Sequence, residues 1–283
     1  MCVDSKRIVV DIIRYIMIQL TDQLIKDSFV KTGVDSKYYP QYETEAKRRY
    51  ESLQKDEPDY EDIPDNESNV ICSLNATDDY IVIYVKEREK GHCHEWSNTY
   101  AYYSVFGENE YWIARYALDS LKEDERDKEL DIHAKSINED PIFIMRYKYL
   151  FDEGECDAKD MANDYCQAYH QCIAKGKSEV YSHAYADVVN EGYYEDFCEI
   201  HAEAYELAIN HGMDKYDAYM FGDFCTDAAD RSLFSKLNEF SKEYKEEWQR
   251  DFYLQLILVD YEKNNKTRMS DSLIKDVKQM LYR

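Results

Sequence analysis

The chain has little glycine and proline, and it lacks the short motifs that mark most enzymes. Only 8 glycines and 4 prolines occur among 283 residues, and no proline lies beyond Pro141. Because proline inside a helix costs about 3 kcal/mol, this long proline-free stretch favours continuous helical packing. The sequence contains no GxGxxG, GxxxxGK[ST], GxSxG or HExxH motif and no EF-hand loop. We therefore predict no cofactor, no metal and no catalytic residues.

Disulfide patterns and membrane segments are also missing. The 8 cysteines form no CxxC pair, which favours reduced thiols over a disulfide framework. The apolar stretch at residues 8–20 is interrupted by Asp11 and Arg14 and does not have the layout of a signal peptide. No window of the sequence is apolar enough to span a bilayer. We expect a cytoplasmic protein that does not bind membranes.

Positive charge is scarce, above all in one segment. The chain has 59 acidic and 35 basic residues, which gives a net charge of −24. Residues 151–230 hold 19 acidic and 4 basic residues, and no lysine or arginine lies between Lys177 and Lys215. Such a surface repels nucleic acid and anionic membranes and attracts basic partners. The alternative interpretation is that the acidity only keeps the protein in solution.

Three similar segments recur within this acidic region. They are QAYHQCIAKG, HAYADVVNEG and EAYELAINHG, which end at Gly176, Gly192 and Gly212. In each, an Ala-Tyr pair lies the same distance before the glycine, and small or apolar residues follow the tyrosine at i+3 and i+4. This spacing predicts helices in which the tyrosine and the residues after it form one buried stripe, which we call the Ala-Tyr stripe. Each helix is predicted to end at a glycine in the left-handed backbone conformation. A fourth Ala-Tyr pair, at residues 218 and 219, begins a unit whose ending differs.

The patterns predict a mainly α fold, either a solenoid-like helical repeat or an irregular helical bundle, with one small β-hairpin near residues 69–87. Residues 69–74 and 80–86 are rich in Val, Ile and Tyr and flank a polar stretch, which favours two strands and a turn. We predict two domains. Residues 1–92 would hold N-terminal helices, an acidic loop and the hairpin. Residues 93–283 would form a helical domain with Tyr-rich acidic repeats at 151–230 and a C-terminal helical cap.

Carboxylates on one predicted helix are the candidate functional residues. Glu195, Glu199, Glu203 and Glu206 recur at i, i+4, i+8 and i+11. Like charges at i, i+4 destabilise a helix by about 0.2–0.5 kcal/mol per pair, so a purely structural surface would usually intersperse lysines. We predict a negative face that binds a basic protein surface, although an ordinary solvated face is the alternative. Further acids that extend this face are Asp187, Glu191, Asp196, Asp214 and Asp217.

The partner implied by this face is a basic protein, such as a nucleic-acid-binding protein or a nuclease whose groove the carboxylates would occupy. Mimicking or blocking nucleic acid in this way is typical of small acidic inhibitors made by phages and mobile elements. Tyrosines can stack on bases, but base-stacking grooves are electropositive, so we expect no direct binding of nucleic acid. A homo-oligomeric scaffold assembled through exposed tyrosine stripes is a further alternative.

An enzyme is the alternative from a different class. Arg126 and His133 lie within RDKELDIH, and Arg88 precedes His94. An arginine followed by a histidine after four to six residues is similar to the signature of HEPN-type ribonucleases, in which the pair contacts the scissile phosphate. The resemblance implies a helical ribonuclease that uses Arg126 and His133. About one such match is expected by chance in a chain of this composition, so the motif alone decides little.

A second weak motif concerns metal binding. Glu89, His92, Cys93 and His94 offer ligand types that suit zinc. A structural zinc site needs a further ligand from elsewhere in the chain, and the sequence does not single one out. An ordinary polar loop is the alternative, and the sequence leaves the choice open.

Overall fold

The structure is a computed structural model, which describes residues 20–55, 66–231 and 233–263, together with 274, 275 and 277–279. Within these residues the regular structure is helical, which confirms the predicted mainly α fold. Contacts between Cα atoms divide the chain into two compact units, Met1–Glu139 and Asp140–Arg283. The boundary predicted at residues 92–93 lies inside the first unit, between a helix that ends at Glu89 and one that begins at His94.

The described part of the first unit contains six α-helices. They are α1 (Asp22–Thr32), α2 (Tyr39–Lys55), α3 (Asn66–Glu89), α4 (His94–Val105), α5 (Glu110–Asp119) and α6 (Glu123–Ile137). Their starts carry local signals: the Thr21 hydroxyl caps α1, and the Asn109 side chain accepts from Tyr111 N at the start of α5. Ile25, Tyr42 and Tyr80 belong to the core that α1–α4 share.

The predicted β-hairpin at residues 69–87 is wrong, because this stretch lies within the single helix α3. Neither glycine nor proline interrupts it, so nothing forces a turn at residues 75–79. The Ser73 and Thr77 hydroxyls instead donate to carbonyl oxygens one helical turn earlier, at 2.7 and 2.6 Å. The buried residues follow helical spacing along the whole stretch: Val70, Ser73, Thr77, Tyr80, Ile81, Tyr84 and Glu87.

The described part of the second unit begins with five helices that are joined by short turns. They are α7 (Pro141–Glu153), α8 (Ala158–Ala174), α9 (Glu179–Asn190), α10 (Glu195–Asn210) and α11 (Lys215–Arg231). Each packs against the next in sequence, and each connection has four residues, at 154–157, 175–178, 191–194 and 211–214. Short connections of this kind make packed neighbours antiparallel. Two further helices follow, α12 (Leu233–Glu243) and α13 (Glu247–Lys263).

Glycine ends four of these helices in the same way. Gly154, Gly176, Gly192 and Gly212 have positive φ angles, which confirms the left-handed ends predicted for the last three. Such an angle costs other residues roughly 1–2 kcal/mol, so glycine is favoured there. The backbone N–H after each glycine reaches back five residues to a carbonyl of the last helical turn, as Lys177 N does to Cys172 O at 3.1 Å.

The Ala-Tyr stripe is largely buried, as its spacing predicted. Its alanines are the most enclosed members, and Ala204 and Ala218 have no exposed surface. Tyr169 and Tyr185 are buried, whereas Tyr205 and Tyr219 are half-buried. The Ala-Tyr pairs of α8 and α9 belong to one core cluster with Cys172, Val188 and Cys198. Ala204 and Ala218 belong to a second cluster, which α10–α13 share and which includes Phe221 and Tyr253.

Several sequence-based predictions lie partly or wholly outside the described residues. These are the N-terminal helix up to residue 19, most of the acidic loop, and parts of the C-terminal cap. In the portions of the chain that are described, none of the helices combines the length and the apolarity that crossing a bilayer requires.

Candidate functional site

The four glutamates predicted as a negative face lie along α10, and we call them the α10 acidic row: Glu195, Glu199, Glu203 and Glu206. Their spacing places them on one side of the helix. Glu195 and Glu203 expose 70% and 50% of their side-chain surfaces. Glu206 is half-buried and accepts a hydrogen bond from the Ser178 hydroxyl, which also caps α9. Glu199 is half-buried as well, so the row is most accessible at Glu195 and Glu203.

Two lysines from the turn between α8 and α9 approach this row. Lys175 Nζ lies 3.8 Å from Glu195 Oε1, and Lys177 Nζ lies 3.7 Å from Glu203 Oε1. Exposed ion pairs of this kind contribute about 0.2–1 kcal/mol and are screened by salt. Two lysines and four carboxylates leave the row with a net negative charge. Both lysine side chains are exposed, so a basic partner could replace them in these ion pairs.

Two predicted acids lie near the end of α9, Asp187 within the helix and Glu191 at its C-cap, and both have partners of their own. Asp187 Oδ1 pairs with Arg146 Nη1 of α7 at 2.8 Å, and Glu191 accepts from the Tyr219 hydroxyl of α11 at 2.5 Å. Burial raises the pKa of Asp187, and Arg146 acts in the opposite direction. Burial and the hydrogen bond to Glu191 raise the pKa of Tyr219. These two carboxylates connect α9 to α7 and α11, so part of their role is structural.

The remaining predicted acids lie at helix starts. Asp196 is in the first turn of α10, and Asp217 is in the first turn of α11. The Asp214 carboxylate accepts from Asp217 N at 2.9 Å, which is an N-cap contact. Carboxylates at these positions stabilise the positive end of the helix dipole, typically by 0.3–1 kcal/mol. Much of the acidity of these turns therefore has a local cause, unlike that of Glu199 and Glu203 in the middle of α10.

Exposed tyrosines beside the acidic row are the feature that sequence reasoning missed. Tyr193 and Tyr194 lie just before α10 and are 48% and 80% exposed. They follow Gly192 directly, outside the Ala-Tyr register that marks the buried stripe. That offset from the stripe is the signal that could have identified them. Exposed aromatic rings next to carboxylates are typical of interface residues.

Polar contacts also join α7, α8 and α9, and we call them the polar seam. His183 Nδ1 lies 2.6 Å from the Tyr165 hydroxyl, and the Arg146 guanidinium lies 4.6 Å from the centre of the Tyr165 ring. Burial lowers the pKa of His183, against the opposite influence of Asp187. Burial also raises the pKa of Tyr165. Imidazole and phenol are therefore paired in their neutral forms, and the seam serves the packing of the helices.

The first unit encloses a separate cluster of buried ionisable groups around His92. Its Nδ1 lies 2.7 Å from Glu129 Oε2 and its Nε2 lies 3.5 Å from Glu87 Oε2, while the ring stacks on Trp96. Burial lowers the pKa of His92, and the two carboxylates oppose this shift. Lys90 Nζ approaches Glu87 at 2.7 Å. Glu87 belongs to α3 and Glu129 to α6, so the contacts of His92 connect these two helices. Because the histidine and both carboxylates are buried, a substrate has no access to them.

The weak zinc motif of the sequence does not converge on one point. His92 points to Glu129, whereas His94 Nδ1 lies 2.8 Å from the Tyr84 hydroxyl. The Cys93 sulfur accepts from Trp96 N and so caps α4. Burial raises the pKa of this thiol.

The arginine and the histidine of the HEPN-like motif have different surroundings. Arg126 donates from Nε to Leu121 O and from Nη2 to Asp119 O, both at 3.4 Å, at the turn before α6. The His133 ring is buried and lies 5.3 Å from the Trp96 ring, centre to centre. In the alternative pair, Arg88 Nη1 donates to His92 O, whereas His94 Nδ1 lies 2.8 Å from the Tyr84 hydroxyl.

A cavity of about 340 Å³ lies among α2, α3 and α4 of the first unit, lined in part by Arg48, Arg49, Tyr102 and Phe106. Both arginines already pair with Glu45, at 2.6 and 2.7 Å. Arg49 also lies over the Tyr102 and Phe106 rings, 5.6 and 5.7 Å from their centres. The single Glu45 carboxylate therefore balances only one of the two arginine charges.

One group in the described chain brings together three different metal-ligating side chains, namely Asp140, Cys166 and His170. Asp140 Oδ2 lies 2.8 Å from His170 Nε2. Burial acts to raise the pKa of Asp140, but hydrogen bonds from His170 and from backbone N–H groups lower it overall. Burial raises the pKa of Cys166 to about 11, and Asp140 adds to this shift.

The described residues define a class: a mainly helical protein whose second unit packs consecutive helices and carries the acidic row on α10. No family model, no curated protein and no solved structure matches the chain.

Proposed function

We propose that the chain is a non-enzymatic interaction protein that binds a basic, arginine-rich protein surface through the α10 acidic row and the two tyrosines before it. The observation that carries the proposal is the position of the exposed Tyr193 and Tyr194 next to Glu195 at one end of that row. Guanidinium groups pair with carboxylates in a bidentate manner and stack on aromatic rings. The row and the tyrosines together supply both kinds of contact.

The charge distribution supports the same proposal. Residues 151–230 have a net charge of −15, and the two lysines beside the row are exposed. Proteins that bind nucleic acid present basic grooves lined with arginine and lysine. A carboxylate row on a rigid helix would occupy such a groove and block nucleic acid from it. The proposal includes a cytoplasmic location and a helical-repeat scaffold built from the Ala-Tyr segments.

Binding to short peptides tests the proposal, because it separates arginine recognition from simple charge attraction. Fluorescence titration would compare polyarginine with polylysine of the same length, at about 50 and 200 mM NaCl. We expect tighter binding of polyarginine at both salt concentrations. The planar guanidinium of arginine can stack on the tyrosine rings and bind a carboxylate with two hydrogen bonds, whereas the ammonium of lysine cannot. Replacing Tyr193 and Tyr194 by alanine should remove this preference and leave the weaker, charge-driven binding.

Charge reversal provides the matched comparison. The triple variant Glu195→Lys, Glu199→Lys, Glu203→Lys should weaken polyarginine binding by at least about tenfold. The control triple variant Asp152→Lys, Glu153→Lys, Glu155→Lys makes the same change of charge at exposed positions near the end of α7. It should weaken binding much less. Equal losses in the two variants would mean that net charge alone attracts the peptide, and the proposed surface would then be abandoned.

A further inference from the structure

Asp140, Cys166 and His170 form a small mixed cluster at the start of α7 and along α8. One potential ligand atom from each, a carboxylate oxygen, a thiol sulfur and an imidazole nitrogen, lies within 4.8 Å of the other two. Cys166 and His170 are one helical turn apart, so α8 presents both on the same face. Asp140, the N-cap residue of α7, faces both of them. The cluster lies apart from the proposed binding surface on α10.

Contacts behind the cluster hold its donors in place. Asp140 Oδ1 accepts from Ile142 N at 2.8 Å and from Phe143 N at 3.4 Å, which leaves Oδ2 directed at His170. The Cys166 residue is only 8% exposed, whereas the His170 side chain is 51% exposed. The carboxylate and the thiol are therefore held in place by the fold. Because His170 is exposed, an ion can reach the cluster from solvent on its side. Outer contacts that orient ligands in this manner are typical of protein metal sites.

We propose that Asp140, Cys166 and His170 bind zinc or a similar borderline transition-metal ion. Thiolate, imidazole and carboxylate together are the ligand types that zinc takes, whereas calcium and magnesium require oxygen donors. Three protein ligands leave a fourth position of the tetrahedron for water or another small ligand. Binding would replace the Asp140–His170 hydrogen bond by metal bonds and release the thiol proton of Cys166 to solvent.

The distances agree with a site that closes around the ion through small side-chain movements. Zinc bonds of about 2.0–2.3 Å at tetrahedral angles place ligand atoms about 3.3–3.6 Å apart. The oxygen and nitrogen now at 2.8 Å would separate by roughly half an ångström. A rotation of the exposed His170 side chain would accommodate this change.

Titration of the reduced full-length protein with Co²⁺ tests this proposal, because cobalt replaces zinc and reports its ligands by absorption. We expect one Co²⁺ per chain, a near-ultraviolet thiolate-to-cobalt band, and displacement of cobalt by added Zn²⁺. Cys166→Ser should abolish the band, and His170→Ala should weaken Co²⁺ binding by at least the roughly 10–100-fold that is typical of losing an outer contact to a ligand. Asp140→Asn should also weaken binding while it keeps the helix cap, because asparagine caps as well as aspartate.

Two controls make the outcome decisive. Cys172→Ser removes a thiol from the same helix, and Cys156→Ser removes an exposed one, so both should retain the band. If Cys166→Ser does not fold, the exposed His170→Ala variant decides, since its substitution leaves the core intact. A band that persists in Cys166→Ser, or Co²⁺ binding that is unchanged in His170→Ala, would overturn the proposal.

Discussion

At the scale of single residues, burial in the second unit determines which groups carry charge. His183 is the clearest case, because it is half-buried against Tyr165 and its pKa is lowered. In the unfolded chain the same imidazole regains its ordinary pKa near 6.5. The unfolded state therefore binds the proton more readily, and protonation favours unfolding. The stabilisation is complete above pH 6.5 and is lost as the pH falls below that value toward the folded-state pKa.

This linkage predicts how a His183→Asn variant differs from the wild type. Asparagine keeps an acceptor near the position of Nδ1 and so preserves the contact with the Tyr165 hydroxyl. Between about pH 7.5 and about pH 5.5, the wild type should lose up to about 1.4 kcal/mol more unfolding free energy than the variant. Urea unfolding at both pH values measures the difference. The many carboxylates titrate in both proteins and cancel, so identical losses in the two would contradict the prediction.

At the scale of helices, a close contact between α10 and α11 depends on one glycine. Gly222 lies inside α11, and a Cβ placed there would come within 2.7 Å of the His201 ring. The ring belongs to α10 and is completely buried, so it has little room to move. Glycine in a helix interior normally costs about 1 kcal/mol relative to alanine. The close packing of the two helices accounts for its presence.

A double-mutant cycle tests this explanation. Gly222→Ala alone should destabilise the protein by about 1–3 kcal/mol, because the added methyl group overlaps His201. In a His201→Ala background the same substitution should be neutral or stabilising, since the space is then open and alanine favours the helix. Thermal or urea unfolding of the four proteins gives the coupling. A destabilisation by Gly222→Ala that is equal in both backgrounds would exclude the clash as the cause.

Helices with explicit stop signals could be predicted from the sequence, whereas α3 could not. A helical spacing of apolar residues followed by Gly176, Gly192 or Gly212 is a local signal for a helix and its end. The structure places helix ends at these glycines. In α3 the same residue types that favour strands are buried at helical spacing. Strand preference largely reflects packing against neighbours, and a single sequence does not reveal those neighbours.

The candidate surface was predictable only in part, for similar reasons. The register of Glu195, Glu199 and Glu203 along one helix follows from periodicity alone. The partners of Asp187 and Glu191 come from α7 and α11, so their structural role depends on which helices become neighbours. The meeting of Asp140 with Cys166 is also non-local, since these two residues belong to different elements.

At the scale of the whole molecule, a net charge of −24 opposes compaction through self-repulsion. Raising the NaCl concentration from about 0.01 M to about 0.1 M shortens the screening length from about 30 Å to about 10 Å. We therefore expect the wild type to unfold at a higher temperature at the higher salt concentration.

The control triple variant Asp152→Lys, Glu153→Lys, Glu155→Lys reduces the negative charge by six, from −24 to −18. Its melting temperature should rise less with salt, and calorimetry at both concentrations measures the difference. A wild-type melting temperature that falls with added salt would show that attractive pairs, such as those of Lys175 and Lys177 with the acidic row, outweigh the repulsion.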